Sequence, residues 1–381
     1  MSRKTDDWFL GYKTRAVKAK NQGAVYFGKG RPSKPLKPGS GVTNLTAAAK
    51  KHPEVMVKIP KRVSGGSKGM RGVRNHLDYI SRNGKIQIET QDGEKLNGKK
   101  AVHQMVNDWK KLGITEESKH KEALNVVLSM PAGTPPQAVL NAARKFAEEQ
   151  FEGHQYVFAL HHESEKPGEP EHPHVHLCVL MRDETGQRLN PRKNDLFEWR
   201  VRFAEKLREE GVECAATKRV HRGIVQKPEK STVKAICERG KWSNTALKHA
   251  QELVAAVGQG ERPTHPYLQK VLHSRGAVLE EYGQIAKELY KMGHKTEARL
   301  VSKLAKETAS QPFETKAQQA YDYYAAHPSE FERYGKAVEA AARDPQNTKP
   351  VQPPVMTAAV SKPQPAPETV YRPQRDDGID R

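Results

Sequence analysis

The chain has 381 residues, room for two or three domains, and 65 lysines and arginines against 45 acids give a formal charge of +20 that points to a polyanionic partner. No stretch approaches the ~18–20 consecutive apolar residues of a membrane-spanning helix, and the first residues carry no apolar run behind Arg3 and Lys4, so a membrane protein is excluded and a bacterial cytoplasmic location is expected. The three cysteines, Cys178, Cys214 and Cys237, are far apart and form no CxxC pair, which excludes a disulfide framework and a thiolate zinc site.

Residues 1–70 hold 16 lysines and arginines against Asp6, Asp7 and Glu54. Residues 1–53 therefore read as a basic, largely extended arm with no core of its own, suited to neutralising phosphates or to being solvated. Globular patterning starts near residue 54. Val55–Ile59 predicts a strand ended by Pro60, and after the Ser64-Gly65-Gly66 turn Val73, Leu77 and Ile80 recur at helical spacing before Asn83-Gly84. A short strand is expected over 86–90. Asp92-Gly93 makes a turn, and a helix carries Val102, Met105, Val106, Trp109 and Leu112 on one face up to Gly113. Leu124–Met130 reads as a buried strand. Thr134-Pro135 is expected to cap a helix running to Phe151. Strands at Tyr156–His162 and His174–Met181 follow, separated by the polar loop 163–173, and Asn194 or Asp195 is expected to cap a helix that stops at Gly211. Residues 54–223 thus form an α+β domain. Residues 224–345 carry helix formers without strand signals and read as a helical accessory region. Residues 346–381 hold seven prolines and few apolar clusters, the composition of a disordered tail.

Five histidines fall within residues 161–176, as His161-His162-Glu163 and His172-Pro173-His174-Val175-His176. On an extended strand side chains alternate, so His174 and His176 share a face with Cys178 and Leu180 while Val175, Leu177, Val179 and Met181 pack on the other. If the two strands pair antiparallel, His161 returns beside that pair and His162 points away. Three imidazoles on one face can hold a divalent cation and leave positions open to oxygen ligands. A surface histidine cluster or a structural metal clip is the bland alternative.

The segment Arg74-Asn75-His76-Leu77-Asp78-Tyr79-Ile80-Ser81-Arg82-Asn83-Gly84-Lys85, followed by the two histidine motifs, resembles the MobP-type conjugative relaxases, and most of all the branch containing the T-DNA border nickase. The resemblance covers about residues 54–220. It implies an antiparallel-sheet HUH endonuclease core, a nucleophilic Tyr79, metal ligands His161, His174 and His176, and a divalent metal, manganese or magnesium. Two departures stand out: Leu180 occupies a position where the family usually has asparagine, and the loop after Glu163 is longer than usual. The implied function is site- and strand-specific nicking of single-stranded DNA at an origin of transfer, with relaxosome accessory proteins and a type IV secretion coupling protein as partners and export as a DNA adduct.

The residues make chemical sense of that reading. Cleaving a phosphodiester needs positive charge on its nonbridging oxygens and an attacker held in line. Free phenol ionises near pH ~10, so attack needs a base or a cation nearby, and Glu163, His76 and His172 are candidates. His172 and Glu163 could equally orient a metal ligand. Arg71, Arg74, Arg82 and Lys85 around the Tyr79 helix, and more weakly Arg188, Arg192 and Lys193, are candidate DNA clamps or a solvated helix face. Tyr323-Tyr324 is expected to be helix packing. A rolling-circle initiator or HUH transposase is the rival within the same chemistry, and a non-catalytic DNA-binding protein with a structural metal is the rival outside it.

Overall fold

The computed structural model describes residues 3–11, 36–60, 69–118, 120–162, 172–226, 229, 231–345 and 348–350. The Ser64-Gly65-Gly66 turn, Glu163 with most of its loop, and nearly all of the proline-rich tail lie outside these residues. The described residues fall into two compact units, one reaching to Thr217 and including Gly293–Val301, the other made of Lys218–Met292 and the residues from Ser302 onward.

The first unit is built on six antiparallel strands: β1 (Met56–Lys58), β2 (Ile88–Thr90), β3 (Lys95–Leu96), β4 (Ala123–Ser129), β5 (His154–His161) and β6 (His174–Asp183), in the order β1-β4-β6-β5-β2-β3. The long β5 and β6 lie side by side in the middle. Register decides which side chains share a face, because residues directly opposite each other point the same way. His161 lies opposite His174, Ala159 opposite His176, and Val157 opposite Cys178, with Ser129, Val127 and Asn125 completing the rows on β4.

On that face Val157, Ala159, Cys178 and Leu180 are buried with Met70, Val73, Leu77 and Ile80 of one helix and Val102, Val106 and Trp109 of another. These helices run over Gly69–Ile80 and Gly98–Lys110. Numbered in chain order they are α3 and α4, because two shorter helices, α1 (Arg3–Leu10) and α2 (Ser40–Ala49), precede them. The opposite face of the sheet packs on α5 (Pro136–Gln150) and α6 (Lys193–Glu209), where Phe146, Phe151, Trp199 and Phe203 meet with ring centroids 5.3–6.4 Å apart.

α1 and α2 correct the expectation of an extended arm. Phe9, Val42 and Leu45 are buried, and Phe9 lies 5.4 Å from the Phe197 ring. Burying each such side chain contributes roughly 1.5–3 kcal/mol, enough to order short helices despite the charge around them. The Asp6 carboxylate accepts from the backbone N–H of Gly39 and Gly41, both at 2.7 Å, which joins the two helices. The two expected caps also differ. Thr134 Oγ1 donates to the Pro131 carbonyl and Pro135 stands at the N-cap of α5. Asp195 sits one turn inside α6, its carboxylate accepting from the Arg192 N–H at 2.5 Å.

Among its described residues the second unit is all helical: a 3₁₀ turn at Arg219–Arg222, then α7 (Ser231–Glu238), α8 (Asn244–Gln259), α9 (Leu268–Lys291), the C-terminal part of α10 (Lys295–Ser310), α11 (Lys316–Ala326) and α12 (Pro328–Arg343). Trp242, Leu253, Tyr324, Tyr334 and Val338 form one of its buried clusters. No described helix is long and apolar enough to cross a membrane.

Candidate active site

The end of β5 and the start of β6 bring His161, His174 and His176 together. Their ring centroids are 4.8–5.3 Å apart, and one nitrogen from each lies within 4.8 Å of the others. His161 and His176 are buried and His174 is half-buried. His162 is exposed, as alternation requires.

Two of the rings are oriented by backbone. His161 Nε2–H donates to the Ile80 carbonyl at 2.6 Å, so His161 would meet a metal through Nδ1. His174 Nδ1–H donates to the His172 carbonyl at 2.9 Å, which makes Nε2 its ligand atom. Fixing one ring nitrogen by hydrogen bonding selects the tautomer that a metal needs. His172 thus touches the cluster through its backbone, and its side chain is exposed.

His176 tests the fit to a metal. Its Nδ1 is buried and has no hydrogen-bond partner among the described residues. Burial, then the neighbouring His161, His174 and His76, pushes its pKa down to about 3. The ring is therefore neutral at physiological pH, the form that ligates metals. Three imidazoles converging over an apolar floor suit a divalent transition cation.

Tyr79 sits in the last turn of α3, one residue before the Ile80 carbonyl that holds His161. Its side chain is 65% exposed, although it is large and partly apolar. The ring stands edge-on to His176, with centroids 5.8 Å apart and an interplanar angle of 89°. His76, one turn earlier, is buried with its ring 6.5 Å from that of Tyr79.

The chain leaves α3 through Arg82, Asn83 and Gly84, all at positive φ. Asn83 N–H donates to the Asp78 carbonyl and Ile86 N–H to the Ser81 carbonyl, which closes the helix end. A Cβ on Gly84 would collide with the backbone of Gly98 and Lys99, so only glycine allows this close approach to the start of α4. His103 of α4 meets the Asp78 carboxylate at 2.8 Å and pins the same end. Sequence reasoning missed Asp78, His103 and the Ile80 carbonyl. An acid beside Tyr79 was visible, but its partner lies 25 residues away.

The candidate DNA clamps divide. Arg74 pairs with Glu116 at 3.1 Å and Arg71 with Glu117 at 3.2 Å. Arg188 donates to the Lys121 carbonyl and lies 3.5 Å from Glu122. Lys85, Arg192 and Lys193 are exposed, and Arg82 is half-buried in the turn after Tyr79. Glu163 lies outside the described residues. Cysteine chemistry is absent from this centre: Cys178 is buried in the core beneath the histidines. Cys214 is also buried, which pushes its thiol up to about 12.

The sheet thus carries three histidines at one end and a tyrosine presented by the adjoining helix. Residues 79–212 match the family described as the MobA/VirD2-like relaxase, nuclease domain. That stretch of the chain is similar to a relaxase nuclease domain. Its curated relatives are VirD2 proteins. It is 27% identical over 198 residues to the T-DNA border endonuclease VirD2 of Agrobacterium fabrum (strain C58 / ATCC 33970), covering 46% of this chain and 42% of that protein. The VirD2 protein of Rhizobium rhizogenes is likewise 27% identical, over 46% of this chain and 43% of its own length. The chain therefore matches less than half the length of these relatives. No solved structure matches it.

Proposed function

We propose that the protein nicks one strand of DNA at an origin of transfer and keeps the 5′ end as a phosphotyrosine on Tyr79. The observation that carries this reading is the exposed Tyr79 ring standing edge-on to His176, at the mouth of the three-histidine cluster. His161, His174 and His176 would hold a divalent cation, manganese or magnesium, which supplies positive charge to the nonbridging oxygens of a bound phosphate.

Tyr79 Oη attacks phosphorus, the bond from phosphorus to the 3′ oxygen breaks, and the departing oxygen takes a proton to become a 3′ hydroxyl. The phenolic proton passes to a base, for which His76 on the same helix is the described candidate and Glu163 the other. Phosphodiester energy is conserved in the tyrosyl linkage, so an incoming 3′ hydroxyl can reverse the step. Arg82 and Lys85 beside Tyr79 are suited to the DNA backbone, with Arg192 and Lys193 as further exposed cations. The scissile strand is bound single-stranded, unpaired so that its backbone can be positioned against Tyr79.

In the cell this activity would operate in the cytoplasm with relaxosome accessory proteins, and the adduct would pass to a type IV secretion coupling protein. Deleting residues 346–381 is expected to abolish transfer while nicking is retained, and unchanged transfer would remove the tail from that role. The direct test incubates the protein with labelled single-stranded oligonucleotides tiling the origin region, plus manganese or magnesium. A denaturation-resistant adduct that is missing in Tyr79→Phe supports the proposal. Tight DNA and metal binding with no adduct in the wild type would instead make the centre a structural clip in a DNA-binding protein.

A further inference from the structure

α3 and α4 lie against each other in opposite directions, and their two ends carry charge differently. At one end the Met70 N–H donates to the Thr115 carbonyl, just beyond α4. Every cation named there is met by an acid: Arg71 by Glu117, Arg74 and Lys110 by Glu116, and Lys111 by Asp108. At the other end, where Tyr79 stands, the close approach of Gly84 to Gly98 and Lys99 brings residues 82–85 against the start of α4. Arg82 and Lys85 come from the first segment, Lys99 and Lys100 from the second.

No acid balances this second group. Lys85, Lys99 and Lys100 are exposed and form no ion pair with any described residue. The chain carries no aspartate or glutamate over residues 79–88 or 95–107, and Asp78 is already engaged by His103. Cations gathered without acids repel one another, and a polyanion relieves that repulsion by standing where the carboxylates are missing. The group begins three residues after Tyr79, whose carbonyl accepts from the Arg82 N–H at 3.1 Å. It is therefore placed for the phosphates that flank the scissile one.

We propose that Lys99 and Lys100, together with Lys85, grip the backbone of the DNA strand beside the scissile phosphate. The inference rests on the reading of the site as a DNA-nicking centre and adds to it two residues of a second helix. Contacts of this kind fix register and add affinity but read no bases. Their physical signature is counterion release: each phosphate neutralised on a single strand adds about 0.7 to the steepness of log affinity against log salt.

The test uses the full chain and a fluorescein-labelled single-stranded oligothymidylate, read by anisotropy between ~50 and ~200 mM salt. Lys99→Gln/Lys100→Gln is expected to bind roughly tenfold more weakly at the low-salt end, with a salt slope shallower by about 1.4. Lys99→Arg/Lys100→Arg should keep the wild-type slope. Lys110→Gln/Lys111→Gln lowers the net charge by the same amount at the neutralised end of the same helix, and should bind within about twofold of wild type. An unchanged slope in Lys99→Gln/Lys100→Gln, or an equal loss in Lys110→Gln/Lys111→Gln, would overturn the proposal. Absence of an adduct in the wild type would overturn the nicking reading and leave these slopes unaltered, so the two failures are told apart.

Discussion

Arg275 and His176, each buried in a different unit, meet their surroundings in opposite ways. In the helical unit Arg275 is 5% exposed, yet its guanidinium donates to the carbonyls of Gln311, Gly223 and Pro312 at 2.5–3.3 Å and lies 3.6 Å from the centroid of Phe313. Tyr282 and Thr308 both donate to the His221 carbonyl. In the sheet unit the buried His176 Nδ1 has no such partner among the described residues. Tyrosines repeat the contrast. Tyr324 is buried and stacks 4.7 Å from Tyr334, and Tyr323 donates to Glu330, whereas Tyr79 stands in solvent beside three histidines. Polar groups that close on one another hold a fold together, and polar groups left open mark the place where something else binds.

The contrast is tested most severely at the tyrosines. Tyr79→Phe is expected to reduce adduct formation roughly a thousandfold or more, while unfolding stability stays within about 0.5 kcal/mol because the residue is exposed. Tyr324→Phe, assayed on the same gel, should cleave like wild type. Equal loss in both would dissolve the distinction between the regions.

His176→Ala should weaken manganese binding by about a hundredfold or more in calorimetry, and chelation should stop cleavage without unfolding the domain. This histidine also has a pH signature. Its folded pKa is depressed from 6.5 to about 3, so between those values the unfolded chain binds more protons than the folded one. The stability it contributes is present above pH 6.5 and is lost as pH falls towards 3. Metal-free protein should therefore show a slope in denaturation midpoint across that window that is shallower in His176→Asn.

In the helical unit the expected effects are on stability alone. Arg275→Ala strands three carbonyls and should cost roughly 3 kcal/mol in denaturant unfolding, with cleavage of a short oligonucleotide retained. Tyr282→Phe, which deletes one hydrogen bond, should cost about 1 kcal/mol. Arg71→Ala, at an exposed ion pair, should change stability by less than about 0.5 kcal/mol.

Much of this was legible from spacing. Strand alternation puts His174 and His176 on one face, and an antiparallel partner brings back His161 rather than His162. The helical recurrence of Val73, Leu77 and Ile80 marks the helix that presents Tyr79. What stayed hidden has two physical causes. Local composition misleads where tertiary burial outweighs it, as at Phe9 and Leu45 within a basic segment. Contacts made by backbone atoms, or by residues from separate elements, leave no pattern along the chain. The Ile80 carbonyl on His161 and the Asp78–His103 pair are of this kind, and β3, at two residues, is too short to show a period.

The register of β6 has a consequence for how the protein can fail. Its odd and even positions belong to different faces, so a slip of one residue against β5 would turn Val175 and Leu177 out and drive His174 and His176 into the aromatic layer. Such a chain would lose its reactive centre and its core in one event. A molecule misassembled in this way would therefore be inert.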